Sequence, residues 1–219
     1  MKIIEPSAVL IRPQGAEGGL IALRTIESMA RISHRSEEAQ TDDSWRRFLT
    51  ANVLEHGDWS VTEHGTASVV FRVDRGVTHE LVRHRLFSFT QESTRFVNGR
   101  KTYPDGLEFI APVIDHGLSI FWVESLRQAE DSYMGMLAEG WKPQEARSVL
   151  PNALASTIGV TGNFRNWRHF FLMRTTKETH PDFRRVTIPL LEVFKERIPL
   201  LYDDIEPLAR QIDNLRKAR

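Results

Sequence analysis

The chain contains no cysteine. Disulfides, thiolate metal centres and cysteine nucleophiles are therefore excluded outright. Long apolar runs are missing too: none approaches the ~20 residues that a membrane-crossing helix needs. The first residues lack the basic-then-apolar order of a signal peptide, so the expectation is a cytoplasmic protein with no membrane partner. Nor is one sign of charge in excess. Twenty-nine basic residues balance 29 acidic ones, which removes bulk electrostatics as a route to nucleic acid. Two phosphate-binding signatures are absent. No G-x-G-x-x-G follows a strand pattern and there is no G-x-x-x-x-G-K-[ST]; Gly15, Gly18 and Gly19 have neither spacing. A nucleotide or cofactor would not lie in a Rossmann crevice. His79 and His84 lack H-E-x-x-H spacing, with Arg83 where the second histidine should fall, so no metal is expected.

Lysine is scarce, with only six among the 29 basic residues. A chain that prefers arginine carries rigid forks of donors matched to carboxylate and phosphate. At 219 residues it can bury roughly 70% of its unfolded surface without staples. Residues 3–11 are β-prone and interrupted by Pro6. Leu20 to Arg31 and Ser44 to Leu54 have helical spacing, the second ending at His56-Gly57 as a C-cap. Thr66 to Val73 alternates as a strand with Ala67, Val69, Phe71 and Val73 on one face. Val77 to Arg85 reads as a helix with Val77, Leu81 and Val82 inward, and Phe87 to Phe96 as a second strand. Leu118 to Leu137 is a long amphipathic helix with Phe121, Leu126 and Tyr133 in the core. A strand over Leu154 to Val160 and a helix over Asn166 to Arg174 follow. A last helix runs from Pro181 to Arg197, kinked or shortened at Pro189. The pattern predicts an α+β fold in a single domain over residues 1–219.

The stretch RHRLFSFTQESTR, residues 83–95, is the densest in chemistry. It supplies three guanidiniums, an imidazole, a carboxylate, a carboxamide and four hydroxyls, a donor set directed at anions such as a nucleotide or another phosphorylated ligand. Arginine near a helix C-terminus also stabilises the macrodipole, and a polar run is otherwise a solvated face. Residue types alone leave both readings open.

The spacing resembles the signature of the flavin-dependent thymidylate synthases. R-H-R-x-x-S-x-x-x-x-S-x-R is matched at Arg83, His84, Arg85, Ser88, Ser93 and Arg95. Three further blocks resemble that family in its order: His56-Gly57 with Glu63-His64, Glu145 to Pro151 (EARSVLP), and Gly162 to Trp167 followed by Arg174. The resemblance runs from about residue 30 to residue 185. It implies a central, mostly antiparallel sheet flanked by helices, and reductive methylation of dUMP to dTMP. Methylenetetrahydrofolate would donate the carbon, and NADPH would supply the hydride through FAD. It further implies a homotetramer with sites shared between subunits. The other, folate-only class of thymidylate synthase attacks uracil with a cysteine, which this chain lacks.

By the same resemblance, Arg83, His84, Arg85 and Leu86 are expected at FAD, with Gln91, Asn163, Arg165 and His169, and more loosely Ser33, Ser60 and Glu63. Glu80, Arg83, Gln91, Glu92, Ser93, Thr94, Arg95 and Arg147 are expected at dUMP. Ser93 is assigned to binding rather than attack, because an activated serine needs an adjacent base that the sequence does not supply. Arg174 is expected against the uracil ring as the catalytic residue, a fixed cation where negative charge develops. Thr90-Gln91 stands where many members carry Asn-Glu, Glu80 where some carry Gln, and Phe96 replaces a common Tyr. His180-Pro181-Asp182 only roughly resembles the family's His-Ala-Gln. Two rivals remain at this point: a homologue that binds nucleotide or flavin without turnover, and a nucleic-acid module stacking bases on Phe87, Phe89 and Trp167.

Overall fold

The computed structural model describes residues 1–114 and 117–207. In chain order the elements are β1 (Lys2–Ile4), β2 (Ser7–Arg12), α1 (Gly15–Arg31), α2 (Ser44–Leu49), β3 (Thr66–Asp74), α3 (Arg75–Leu81), β4 (Ser88–Gln91), α4 (Gly99–Thr102), β5 (Glu108–Ile110), α5 (Ile120–Ala138), α6 (Pro143–Ala146), β6 (Ala155–Asn163), α7 (Phe164–Arg174) and α8 (Pro181–Arg197). The fold is α+β, with a mostly antiparallel four-stranded sheet in the order β2-β3-β6-β4. β1 and β5 form a separate parallel pair, with Ile3 opposite Phe109. The chain divides into two compact units. One contains Met1–Ser7, Phe71–Arg83 and Thr90–Ile158; the other contains Ala8–Val70, His84–Phe89 and the chain from Gly159 onward.

The first unit packs Leu107, Phe109, Leu126, Tyr133, Ala146 and Leu154 into one apolar cluster. Its long helix α5 contributes Leu126 and Tyr133, as the periodicity predicts, but Phe121 is 82% exposed. Five residues before Leu126 is about 140° around a helix, so the two side chains cannot share a face.

The second unit is built on aromatic rings. Trp167 and Phe171 of α7, Phe194 of α8 and Tyr202 pack with ring centroids 4.9–6.0 Å apart. Their buried polar tips are satisfied: the Trp167 indole N–H donates to the Ala67 carbonyl at 3.0 Å and the Tyr202 hydroxyl to the Phe164 carbonyl at 3.0 Å. Burial alone pushes the Tyr202 phenol well above its usual range. Helix α1 begins five residues before its apolar pattern does. The early turn is glycine-rich because a Cβ on Gly19 would meet the Arg197 carbonyl oxygen at the end of α8.

Strand β3 buries Ala67, Val69, Phe71 and Val73 as its alternation predicts. The helix predicted from Ser44 changes pitch at Thr50 into a π-helical stretch to Glu55. It stops at Gly57, whose φ of 84° and N–H bond to the Val53 carbonyl make the expected left-handed cap.

Two boundaries differ from the sequence reading in ways that matter for function. α3 starts on the Asp74 cap, whose carboxylate accepts from the Val77 N–H at 2.9 Å, and ends at Leu81. Val82 is exposed rather than inward. Arg83 to Arg85 therefore lie in turns, the second closed by the Phe87 N–H on the His84 carbonyl at 3.0 Å. Phe87, just beyond them, is buried. β4 likewise ends at Gln91, leaving Ser93 to Arg95 in a turn instead of a strand.

Candidate functional site

In the second unit His84 and Arg174 meet. α7 is capped by Asn163, whose side-chain oxygen accepts from the Asn166 N–H at 2.8 Å, and it carries Arg174 at its last position. The Arg174 Nε donates to His84 Nε2 at 2.9 Å. As acceptor, Nε2 holds a lone pair, so the imidazole proton sits on Nδ1. The ring packs edge-on against Phe170, centroids 5.0 Å apart. Burial first, then the charges of Arg174 and His169, lower the His84 pKa to about 4. The imidazole is therefore neutral at physiological pH. The Arg174 guanidinium also lies 5.2 Å from the Phe183 ring centroid, and Thr187 donates its hydroxyl to the Arg174 carbonyl at 2.7 Å. The first two contacts hold the guanidinium, and the third holds the backbone at the end of the helix.

Around this pair the same unit places other sequence-selected residues. Leu86 is 79% exposed and its carbonyl accepts from Asn166 Nδ2 at 3.3 Å. Arg85 and His169 are exposed. Arg165 pairs with Glu63 at 2.7 Å, both side chains about half exposed. Ser60 lies on an exposed turn in the segment Trp59–His64. Ser33 donates to the Ala30 carbonyl at 2.8 Å, a helix-end bond. An exposed guanidinium and imidazole can donate to anionic oxygens, and the exposed leucine offers an apolar surface beside them, a combination that suits a phosphate-bearing aromatic cofactor. Several of the selected groups are engaged within the protein: Asn163 caps α7, Arg165 and Glu63 pair with each other, and Ser33 bonds the end of α1.

The first unit gathers the anion-directed residues. Arg147 follows α6 and donates to the Thr94 hydroxyl at 3.2 Å, 53 residues away in sequence. Arg95 donates from Nε to Gln144 Oε1 at 3.2 Å, and its N–H donates to Ser93 Oγ at 3.2 Å. Two exposed guanidiniums, Arg95 in the turn and Arg147 reaching it from the segment after α6, thus meet two hydroxyls, a donor set suited to an anion such as phosphate. Gln91 turns inward, donating to Thr78 Oγ1 and Ser156 Oγ at 3.1 Å each. Glu92 is also held internally: its carboxylate accepts from Arg72, Tyr103 and the Thr157 N–H. Glu80 and Arg83 close the end of α3, where the Arg83 N–H donates to the Glu80 carbonyl at 3.3 Å. A cavity bordered by Glu92, Thr94, Tyr103 and Ser156 holds about 30 Å³. A ligand pocket spans roughly 300–1,000 Å³, so this cavity is too small to hold a nucleotide.

Gln144, Arg72 and Tyr103 escaped the sequence reading. Arg72 carried a signal: it is a cation inside the strand-like run SVVFRVD, a position that usually implies a buried partner. Gln144 and Tyr103 carried none, because their partners lie far away in sequence. Among the described residues no group of three or more His, Asp or Glu could hold a metal, and no helix is long and apolar enough to cross a membrane.

Comparison with known proteins bears on this geometry. Residues 21–200 match the family described as thymidylate synthase complementing protein. A flavin-dependent thymidylate synthase of Corynebacterium diphtheriae is 39% identical over 173 residues, which is 71% of this chain and 67% of that protein. One from Corynebacterium aurimucosum is 35% identical over 169 residues, covering 70% and 67%. The crystal structure of the UMP/dUMP methylase PolB from Streptomyces cacaoi, bound with 5-Br dUMP, superposes with a TM-score of 0.73 at 21% identity, over 93% of this chain and 96% of that one. At that identity the likeness speaks for the fold.

Proposed function

The chain belongs to the family of flavin-dependent thymidylate synthases, and from that premise we propose which of its residues perform the reaction. The enzyme methylates dUMP to dTMP, with FAD as cofactor and methylenetetrahydrofolate and NADPH as cosubstrates. FAD, when bound, supplies the hydride that originates from NADPH. Arg83, His84, Arg85, Leu86, Gln91, Asn163, Arg165 and His169 hold the cofactor, with Ser33, Ser60 and Glu63 at its margin. Ser93, Thr94, Arg95 and Arg147 take the phosphate of dUMP, while Glu80, Arg83, Gln91 and Glu92 shape the surrounding subsite.

Arg174 acts at the uracil ring. A guanidinium fixed beside the pyrimidine stabilises negative charge as it develops there, and makes carbon 6 an acceptor without a protein nucleophile. The observation that carries this role is the bond from Arg174 to a neutral His84. A neutral acceptor orients the cation without adding a second charge or neutralising the first. A homotetramer with shared sites, one catalytic domain per chain and a cytoplasmic location complete the proposal.

Purified enzyme with FAD, dUMP and methylenetetrahydrofolate tests the proposal by NADPH oxidation coupled to dTMP release. Turnover that requires dUMP supports it. Flavin and nucleotide binding without turnover would make the chain a binding homologue.

A further inference from the structure

Arg72 projects from β3 on the face opposite Ala67, Val69, Phe71 and Val73, and its side chain is only 18% exposed. Nη1 donates to Glu92 Oε2 at 2.8 Å and Thr157 Oγ1 at 2.9 Å. Nη2 donates to Glu108 Oε2 at 2.6 Å and the Tyr103 hydroxyl at 3.3 Å. Tyr103 in turn donates to Glu92 Oε1. One guanidinium therefore faces two carboxylates, both largely buried.

The network converges on Glu92, the residue immediately before the phosphate-directed turn. Its carboxylate receives donors from Arg72, Tyr103 and the Thr157 N–H at 3.2 Å, while its own N–H donates to the Thr157 carbonyl at 2.8 Å. The turn then begins at once: the Val97 N–H closes on the Ser93 carbonyl at 2.9 Å, and Arg147 reaches Thr94. Nothing in the family signature requires this arrangement, since neither Arg72 nor Tyr103 lies within it.

We propose that Arg72 is a positioning residue for the nucleotide phosphate, acting through Glu92 to set the geometry of Ser93, Thr94 and Arg95. The inference rests on the reading that this turn takes the phosphate of dUMP. Arg72 does two things there. It pins the residue that leads into the turn, and it offsets a carboxylate that would otherwise repel an anion bound one to three residues away.

The test compares the FAD-loaded wild type with R72M, R72K, E92Q and the R72M/E92Q pair. R72M removes all four Arg72 bonds; the one that acts on the turn, the charged bond to Glu92, is worth about 1.5–3 kcal/mol, so KM for dUMP should rise by roughly 10- to 150-fold. At saturating dUMP its kcat should stay within about threefold, because the groups at the reacting atoms are untouched. KM for NADPH should not move. R72K restores the charge without the fork and should fall between R72M and wild type. The pair should raise KM for dUMP by less than the product of the single effects, since both substitutions act on one contact. An R72M enzyme with wild-type KM for dUMP overturns the proposal. So does one whose kcat and both KM values worsen together, which is the signature of general loosening. If R72M does not fold, R72K decides on the same readings. A wild type that never turns over dUMP defeats the thymidylate synthase reading instead, and that result is seen before any variant is made.

Discussion

Arg174 and His84 stand 90 residues apart in sequence and meet through one 2.9 Å bond in which the arginine donates and the imidazole accepts. The direction of that bond decides the protonation state of the site. A protonated imidazole has no lone pair to offer, so the contact exists only while His84 is neutral. Burial and the neighbouring cation keep it so down to about pH 4.

Arg174→Ala should bind FAD within a few-fold of wild type, because the other cofactor-directed residues remain. Turnover should fall ~100-fold or more, the usual consequence of removing a preorganised charge from the reacting centre. Flavin titration and steady-state kcat on the same preparation check both halves. Retained turnover would remove Arg174 from the mechanism.

His84 should also leave a signature in stability against pH. Its folded pKa of about 4 lies below the ordinary histidine value of 6.5, so between these values the unfolded chain binds the proton and the folded chain does not. Stability tied to His84 is therefore fully present above about pH 6.5 and is lost as pH falls toward 4. Thermal denaturation of wild type and His84→Gln from pH 7.5 to 4.5 should show the wild type losing midpoint more steeply on the acid side. Parallel curves would refute the depressed pKa.

Arg147→Ala should raise KM for dUMP by about tenfold or more, the scale of a charged hydrogen bond to phosphate. Deoxyuridine, which lacks the phosphate, should bind the variant and the wild type alike. A loss shared by both ligands would mean that Arg147 acts on the uracil or on the fold.

The Glu63–Arg165 pair separates cofactor binding from stability. Both groups are about half exposed, and such a pair contributes at most about 1 kcal/mol. Glu63→Gln should hardly shift the melting temperature, yet should change FAD affinity if the pair borders the cofactor. By contrast Phe171→Ala, at a fully buried ring, should cost roughly 3–5 kcal/mol and lower the midpoint by about 10 °C.

The parts of this fold legible in sequence are those governed by period. β3 alternates because one face is buried. α8 runs through Pro189 because Phe183, Val186, Leu190, Leu191 and Phe194 bury a continuous stripe that outweighs one missing hydrogen bond. Polar segments carry no such period. The RHR stretch reads as helix because it follows one, yet it lies in turns, the second closed by the Phe87 N–H on the His84 carbonyl. The site was legible as a set of residue types in a spaced string, and the family blocks added their order. What the string could not give were the partners. Arg72, Tyr103 and Thr157 fix Glu92 across three elements, and no local pattern encodes a contact of that kind.

The most direct test is a visible absorption spectrum of the purified protein incubated with FAD, recorded before and after dUMP is added. The expected result is bound flavin whose bands shift on dUMP addition, placing nucleotide and flavin in one environment. A protein that retains no flavin, with dUMP present, would contradict the assignment of His84, Arg85 and the α7 residues to the cofactor.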